Sequence, residues 1–145
     1  MLKMNRKVEY ALIALKYMSG KYAGQLTSVK EVCDETGVPF DATARAMQLM
    51  VQGGLLKSEH GVHGGYLLMK DLSHVHFHEL LSMVAGPVEM VKCLNSDEAC
   101  ELAGSCTMQG PLSVLNRRMV DFFSELSVAE ILHPKARPAT QRIQQ

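Results

Sequence analysis

The sequence predicts a mainly α-helical fold with one small β-hairpin and a long helix near the C-terminus. Three observations predict it. Met4, Val8, Leu12, Leu15 and Met18 recur at helical spacing. Two short apolar runs, residues 55–58 and 66–69, flank a segment holding Gly61, Gly64 and Gly65, as expected of a hairpin with a mobile, glycine-rich tip. Leu112, Leu115, Met119, Phe122 and Leu126 alternate at spacings of three and four, the narrow apolar seam of a helix that pairs with another helix.

The elements follow in order. The first helix is expected over residues 4–19, with Gly20 and Gly24 at its stop. Thr27 or Ser28 can cap a short second helix whose inner face carries Val29, Val32, Cys33 and Thr36, and Gly37 ends it. Val38-Pro39 turns the chain into a third helix over 41–52. Ala42, Ala46, Leu49 and Met50 are expected inside, and Asp41, Arg45, Gln48 and Gln52 on the opposite face. Two short helices joined by Gly-Val-Pro, the second with polar side chains outward, read as a helix-turn-helix. The hairpin that follows is then a wing. A fourth helix is expected over 77–85, closed by Gly86-Pro87. The last long helix starts at Pro111, a residue tolerated in a first turn. Ser127 and Glu130 form a capping box for one more turn.

The chain accordingly divides into a winged helix-turn-helix over 1–87, a cysteine-bearing loop over 88–110, a pairing helix with its following turn over 111–132, and a tail over 133–145 that is expected to be disordered, since it holds two prolines and no apolar period.

The chain has 145 residues, of which 47% are hydrophobic and 21% charged, an ordinary globular composition. Fifteen basic residues balance fifteen acidic ones, which excludes a uniformly basic coat for nucleic acid but not a local basic face. Residues 1–70 hold nine Lys/Arg against six Asp/Glu, residues 71–132 three against nine, and residues 133–145 three against none. A mildly basic front joined to an acidic back points to two jobs in one chain. The apolar stretch 8–18 is interrupted by Glu9 and Lys16 and is too short to span a bilayer. A cytosolic protein without membrane contact is expected, and its cysteines are then thiols or metal ligands rather than structural disulfides.

Cys93, Cys100 and Cys106 form C-x6-C-x5-C in a loop between two helices. A loop can turn three thiolates toward one point. Thiolate is a soft donor that suits iron–sulfur clusters, zinc or copper(I), and the spacing matches neither zinc knuckles nor ferredoxin runs. The bland alternative is three unrelated thiols, but free cysteines prefer burial and this loop is acidic and poor in apolar residues. Cys33, by contrast, reads as a small buried hydrophobe. His74, His76 and His78 read as solvated or capping residues, because the chain enters a helix among them. For nucleic acid, Arg45 can pair with guanine and Gln48 and Gln52 with adenine, with Thr43 flanking. Thr27, Ser28 and Lys30 are candidates for phosphates. No nucleophile elbow, P-loop or dinucleotide fingerprint appears, so the chain does not read as an enzyme.

Several of these stretches occur together in one family. They are Val-Glu-Tyr-Ala-Leu (8–12), Leu-Thr-Ser (26–28), Thr-Gly-Val-Pro (36–39), Gly-Leu-Leu (54–56), Gly-Val-His-Gly-Gly-Tyr (61–66), Ala-Gly-Pro (85–87) and the three-cysteine loop. Over residues 4–132 the chain resembles the bacterial winged-helix regulators that include the iron–sulfur-cluster assembly regulator and the nitric-oxide-sensing repressor. The resemblance implies a homodimer paired through the C-terminal helix, binding a partly palindromic double-stranded operator. It implies an iron–sulfur cluster, [4Fe-4S] or [2Fe-2S], that tunes DNA binding. Two positions depart from the pattern. Members with a histidine ligand carry it three residues after the third cysteine, where this chain has Gln109. Similar proteins use an acidic residue near the start of the first helix, donated by the other subunit, and Glu9 stands at that position. The wing tip usually carries an arginine for the minor groove, where this chain has His60. His60 and His63 are then the expected wing contacts, and binding becomes sensitive to pH. Direct thiol oxidation or a structural zinc are the alternatives to a cluster.

Overall fold

The computed structural model describes residues 3–89, 91, 100–102 and 104–134. Cys93 and all but the first residues of the expected tail lie outside them. Among the described residues the chain forms α1 (Arg6–Ser19), α2 (Val29–Thr36), α3 (Phe40–Gln52), β1 (Leu56–Glu59), β2 (Gly65–Leu68), α4 (Phe77–Ala85), α5 (Gln109–Glu125) and α6 (Val128–Leu132). This is the mostly helical, winged architecture that the periodicity predicts.

Local chemistry sets the ends. The Asn5 side chain accepts the Lys7 N–H at 3.0 Å and starts α1. Met4 therefore precedes the helix and is exposed, although the apolar stripe includes it. Ser28 caps α2 by accepting the Glu31 N–H at 3.1 Å. Gly37 ends it at φ 74, in the left-handed region that glycine enters without strain, and its N–H donates to the Cys33 carbonyl.

The core lies between α1, α3 and α4. Val8, Ala11, Ala14 and Leu15 of α1 are fully buried, and the helix packs along α3. The two alanines let the axes approach. The buried face of α3 is Thr43, Ala46, Met47 and Met50, so the expected face is corrected. Ala42 and Leu49 are only half-buried, and Thr43 turns inward because its hydroxyl is satisfied within the helix, donating to the Pro39 carbonyl at 2.8 Å.

The wing is an antiparallel pair with Leu56 opposite Leu68 and Glu59 opposite Gly65. Thr27 adds a short third rung beside it. Its N–H donates to the Tyr66 carbonyl at 3.0 Å, and the Tyr66 N–H donates to the Thr27 carbonyl at 2.9 Å. A Cβ on Gly65 would lie 2.9 Å from that Thr27 oxygen, so a glycine is needed for the close approach.

The C-terminal helices return to this body. Ser127 and Glu130 form the capping box of α6, while the Val128 N–H donates to the Val75 carbonyl and the Ala129 N–H to the Leu72 carbonyl, at 2.8 and 3.1 Å. Phe123 of α5 meets Phe77 edge-on with centroids 5.3 Å apart. The rest of α5 is less covered. None of its 17 residues is buried, and Leu115 and Phe122 of the apolar seam are 46% and 59% exposed.

Candidate nucleic-acid interface and cysteine loop

The outward side of α3 carries Arg45, Gln48 and Gln52, all exposed and spaced three and four apart on one face. Asp41 shares that face one turn before Arg45. Sequence reasoning missed Phe40, the first residue of α3, which is 53% exposed. Its signal was an aromatic directly after the Pro39 turn, at the end of the helix from which recognition helices reach base edges.

The expected phosphate contacts divide. Ser28 is half-buried at the N-cap of α2, and a hydroxyl that accepts there retains its own proton to donate. Lys30 is exposed and pairs with Asp34 one turn on. That carboxylate holds the Lys30 ammonium above its ordinary range, chiefly through the hydrogen bond. Thr27 and Thr43 are corrections. Both are fully buried, so neither side chain reaches a phosphate or a base. Thr27 serves the wing rung through its backbone, and Thr43 serves the first turn of α3.

His60 and His63 are exposed at the wing tip, on either side of Val62. Lys57 and Glu59 on β1 pair at 2.7 Å, and Lys57 holds the Glu59 carboxyl below the usual carboxylate range. The two charges cancel, so the wing carries little fixed positive charge. His76 stands at the N-cap of α4 without capping through its side chain, and His74 lies 3.8 Å from Asp71.

Cys100 and Cys106 are half-buried free thiols, separated by a turn in which the Ser105 N–H donates to the Leu102 carbonyl at 3.0 Å. Cys33 is half-buried against the core, as the apolar reading expects. Glu9 lies in the first turn of α1 with its side chain 41% exposed, 3.6 Å from Arg6. Among the described residues no three Cys, His, Asp or Glu side chains converge, so the expected donor set requires Cys93 and, by the resemblance, a glutamate from a second chain. Donor chemistry fits a cluster: Cys100 and Cys106 are uncommitted soft donors, and Glu9 is an accessible carboxylate.

A helix-turn-helix with an exposed polar face on α3, a wing hydrogen-bonded to the segment before α2, and two further C-terminal helices define a winged helix-turn-helix fold. The chain belongs to the Rrf2 family, whose model, described as an iron-dependent transcriptional regulator, matches residues 4–134. Solved structures share the fold. CymR, the global cysteine regulator of B. subtilis, is similar at 19% identity with a TM-score of 0.68, over 91% of this chain and 97% of that one. CymR of Staphylococcus aureus aligns at 16% identity and a TM-score of 0.67, over 92% and 100%. IscR of T. potens aligns at 16% identity and 0.62, over 94% of each. The protein is thus a DNA-binding transcriptional regulator of this family. No helix among the described residues is long and apolar enough to cross a membrane.

Proposed function

We propose that the protein is a homodimeric regulator whose operator affinity is set by an iron–sulfur cluster. The observation that carries the DNA half is the exposed face of α3 beside a wing tied to α2 through Thr27 and Tyr66. Arg45, Gln48 and Gln52 read bases in the major groove, and Ser28 and Lys30 hold phosphates. His60 and His63 reach the adjacent groove or backbone. The α5 face that carries the exposed Leu115 and Phe122 pairs with its counterpart, and a twofold dimer presents two α3 helices about one duplex turn apart, roughly 34–36 Å.

Cys93, Cys100 and Cys106 supply the thiolates, and Glu9 from the other subunit supplies the oxygen. When bound, the cluster supplies a tie that redox state, nitric oxide or iron supply can alter. The chain's own residues do the rest. Glu9 stands on α1, α1 packs along α3, and a displacement of the first turn of α1 therefore reaches the reading helix. Only about 1.4 kcal/mol of differential stabilisation moves operator affinity tenfold. The carboxylate is the hardest donor of the set, which makes Glu9 the labile corner.

Anaerobic purification tests this reading. Coloured protein with iron and sulfide is expected, with visible absorbance lost in Cys100→Ser and altered in Glu9→Ala. Protein with neither iron nor sulfide, before and after reconstitution, overturns the cluster. Stoichiometric zinc without colour replaces it with a structural metal, and disulfides formed by peroxide without metal replace it with direct thiol sensing. Each outcome leaves the operator-binding face standing.

A further inference from the structure

Val62 is 98% exposed, more than any other large hydrophobic side chain among the described residues. It stands in the wing turn that the Gly64 N–H closes by donating to the Gly61 carbonyl at 3.0 Å. Gly61 has φ 123, and a Cβ on Gly64 would collide with the Glu59 carbonyl oxygen. The strands therefore close directly beneath the tip and hold Val62 outward. The Thr27–Tyr66 rung fixes the same hairpin to the segment that enters α2. The tip projects from the body that bears α3. Its charge is low, because Lys57 is paired with Glu59. The usual attraction of a cation to a narrow minor groove is thus largely missing.

We propose that Val62 enters the minor groove beside the α3 site and selects base pairs that lack the guanine 2-amino group; this rests on the reading that α3 occupies the major groove. In the minor groove A·T and T·A present only the acceptors adenine N3 and thymine O2, whereas G·C adds the N2 amino donor. An isopropyl group laid over that amino group meets it sterically and strips water from a donor to which it offers no acceptor. Over A·T the groove floor is open. His60 and His63, flanking Val62, each carry a ring N–H that can donate to N3 or O2. The histidines satisfy the acceptors and the valine rejects the amino group.

The test uses the full chain and an operator selected by it from a random duplex library. At the position beneath the wing, three duplexes carry A·T, G·C or inosine·C. Inosine·C keeps the major-groove edge of G·C closely but lacks the 2-amino group. The G·C duplex is expected to bind about five- to tenfold more weakly, and inosine·C to return to within about twofold of A·T. In Val62→Gly, whose circular dichroism should match wild type, the G·C penalty should fall below about twofold. Equal binding of the three duplexes, an inosine·C duplex as weak as G·C, or a penalty that survives in Val62→Gly overturns the proposal. If base selectivity beneath α3 persists in those cases, the α3 reading stands; if the library yields no enriched sequence, both fall.

Discussion

The Tyr17 hydroxyl donates to Oε1 of Glu31 at 2.9 Å, joining the last turns of α1 to the first turn of α2. Lys21 donates to the same carboxylate oxygen and lies 5.1 Å from the centroid of the Tyr17 ring. Its ammonium also reaches the Leu26 carbonyl at 3.5 Å. Three side chains thus set the angle at which α1 hands the chain to the helix-turn-helix. Tyr17→Phe keeps the ring and removes the bond, so it should lower stability. Denaturant unfolding checks it, as a lower midpoint with unchanged slope. A midpoint equal to wild type would show that the bond is replaced by water without loss.

The same cluster gives a pH dependence. The Lys21 hydrogen bond, and after it those from Tyr17 and the Ser28 backbone, hold the Glu31 carboxyl below its ordinary value of 4.5, against the opposing effect of burial. A depressed carboxyl contributes stability above its unfolded value and loses it as pH falls through the folded one. Stability should therefore fall below about pH 5, more steeply in wild type than in Glu31→Gln. Unfolding midpoints at descending pH measure the difference, and parallel curves would remove Glu31 from the acid response. At the other extreme the Glu31 hydrogen bond raises the Tyr17 pKa above 10.0. That contribution is present below pH 10.0 and is lost as pH rises through the raised value.

Local chemistry made much of the fold legible. Ser28, Gly37 and the Ser127–Glu130 box mark helix ends through bonds that span only a few residues, and each end lies where its cap puts it. The inner face of α3 was less legible. Threonine reads as polar, yet the bond from Thr43 to the Pro39 carbonyl hides its hydroxyl and lets its methyl face the core. Thr27 was illegible for another reason. Its partner, Tyr66, is distant in sequence, and no periodicity encodes one isolated rung. Met4 continues the stripe of α1, but Asn5 caps the helix after it. The outward set Arg45, Gln48 and Gln52 could be read directly because helical spacing alone defines a face. Phe40 and Val62 escaped because exposed apolar side chains carry no polar signature.

Arg45 and Lys30 should fail in different ways. With Arg45 on a base edge, Arg45→Ala should cost about 1–3 kcal/mol and relax preference at one operator position. With Lys30 on a phosphate, Lys30→Ala should weaken all sequences alike and lower the salt slope by about 1. Asp34 competes for the Lys30 ammonium, so Asp34→Asn should tighten binding, most at low salt. Binding isotherms against a panel of duplexes at several salt concentrations separate these effects. Uniform weakening by Arg45→Ala would reassign it to the backbone.

Thr27 and Thr43 are both fully buried, but their hydroxyls differ. Thr43 Oγ1 donates to the Pro39 carbonyl, which also accepts the Thr43 N–H at 3.1 Å. Thr27 Oγ1 is buried without a hydrogen-bond partner. Valine replaces each hydroxyl with a methyl of similar size. In Thr43→Val one bond is removed while the Pro39 carbonyl keeps its backbone donor, so the expected cost is about 0.5–1.5 kcal/mol. In Thr27→Val an unpaired buried hydroxyl is removed, so stability should hold or rise by about 1 kcal/mol. Operator affinity at a temperature well below unfolding should not change in either variant, since neither side chain is exposed. A loss of affinity at unchanged stability would place that hydroxyl on the duplex after all. A Thr27→Val variant as destabilised as Thr43→Val would mean that the hydroxyl beside the wing has a partner, and that the rung between Thr27 and Tyr66 depends on more than its two backbone bonds.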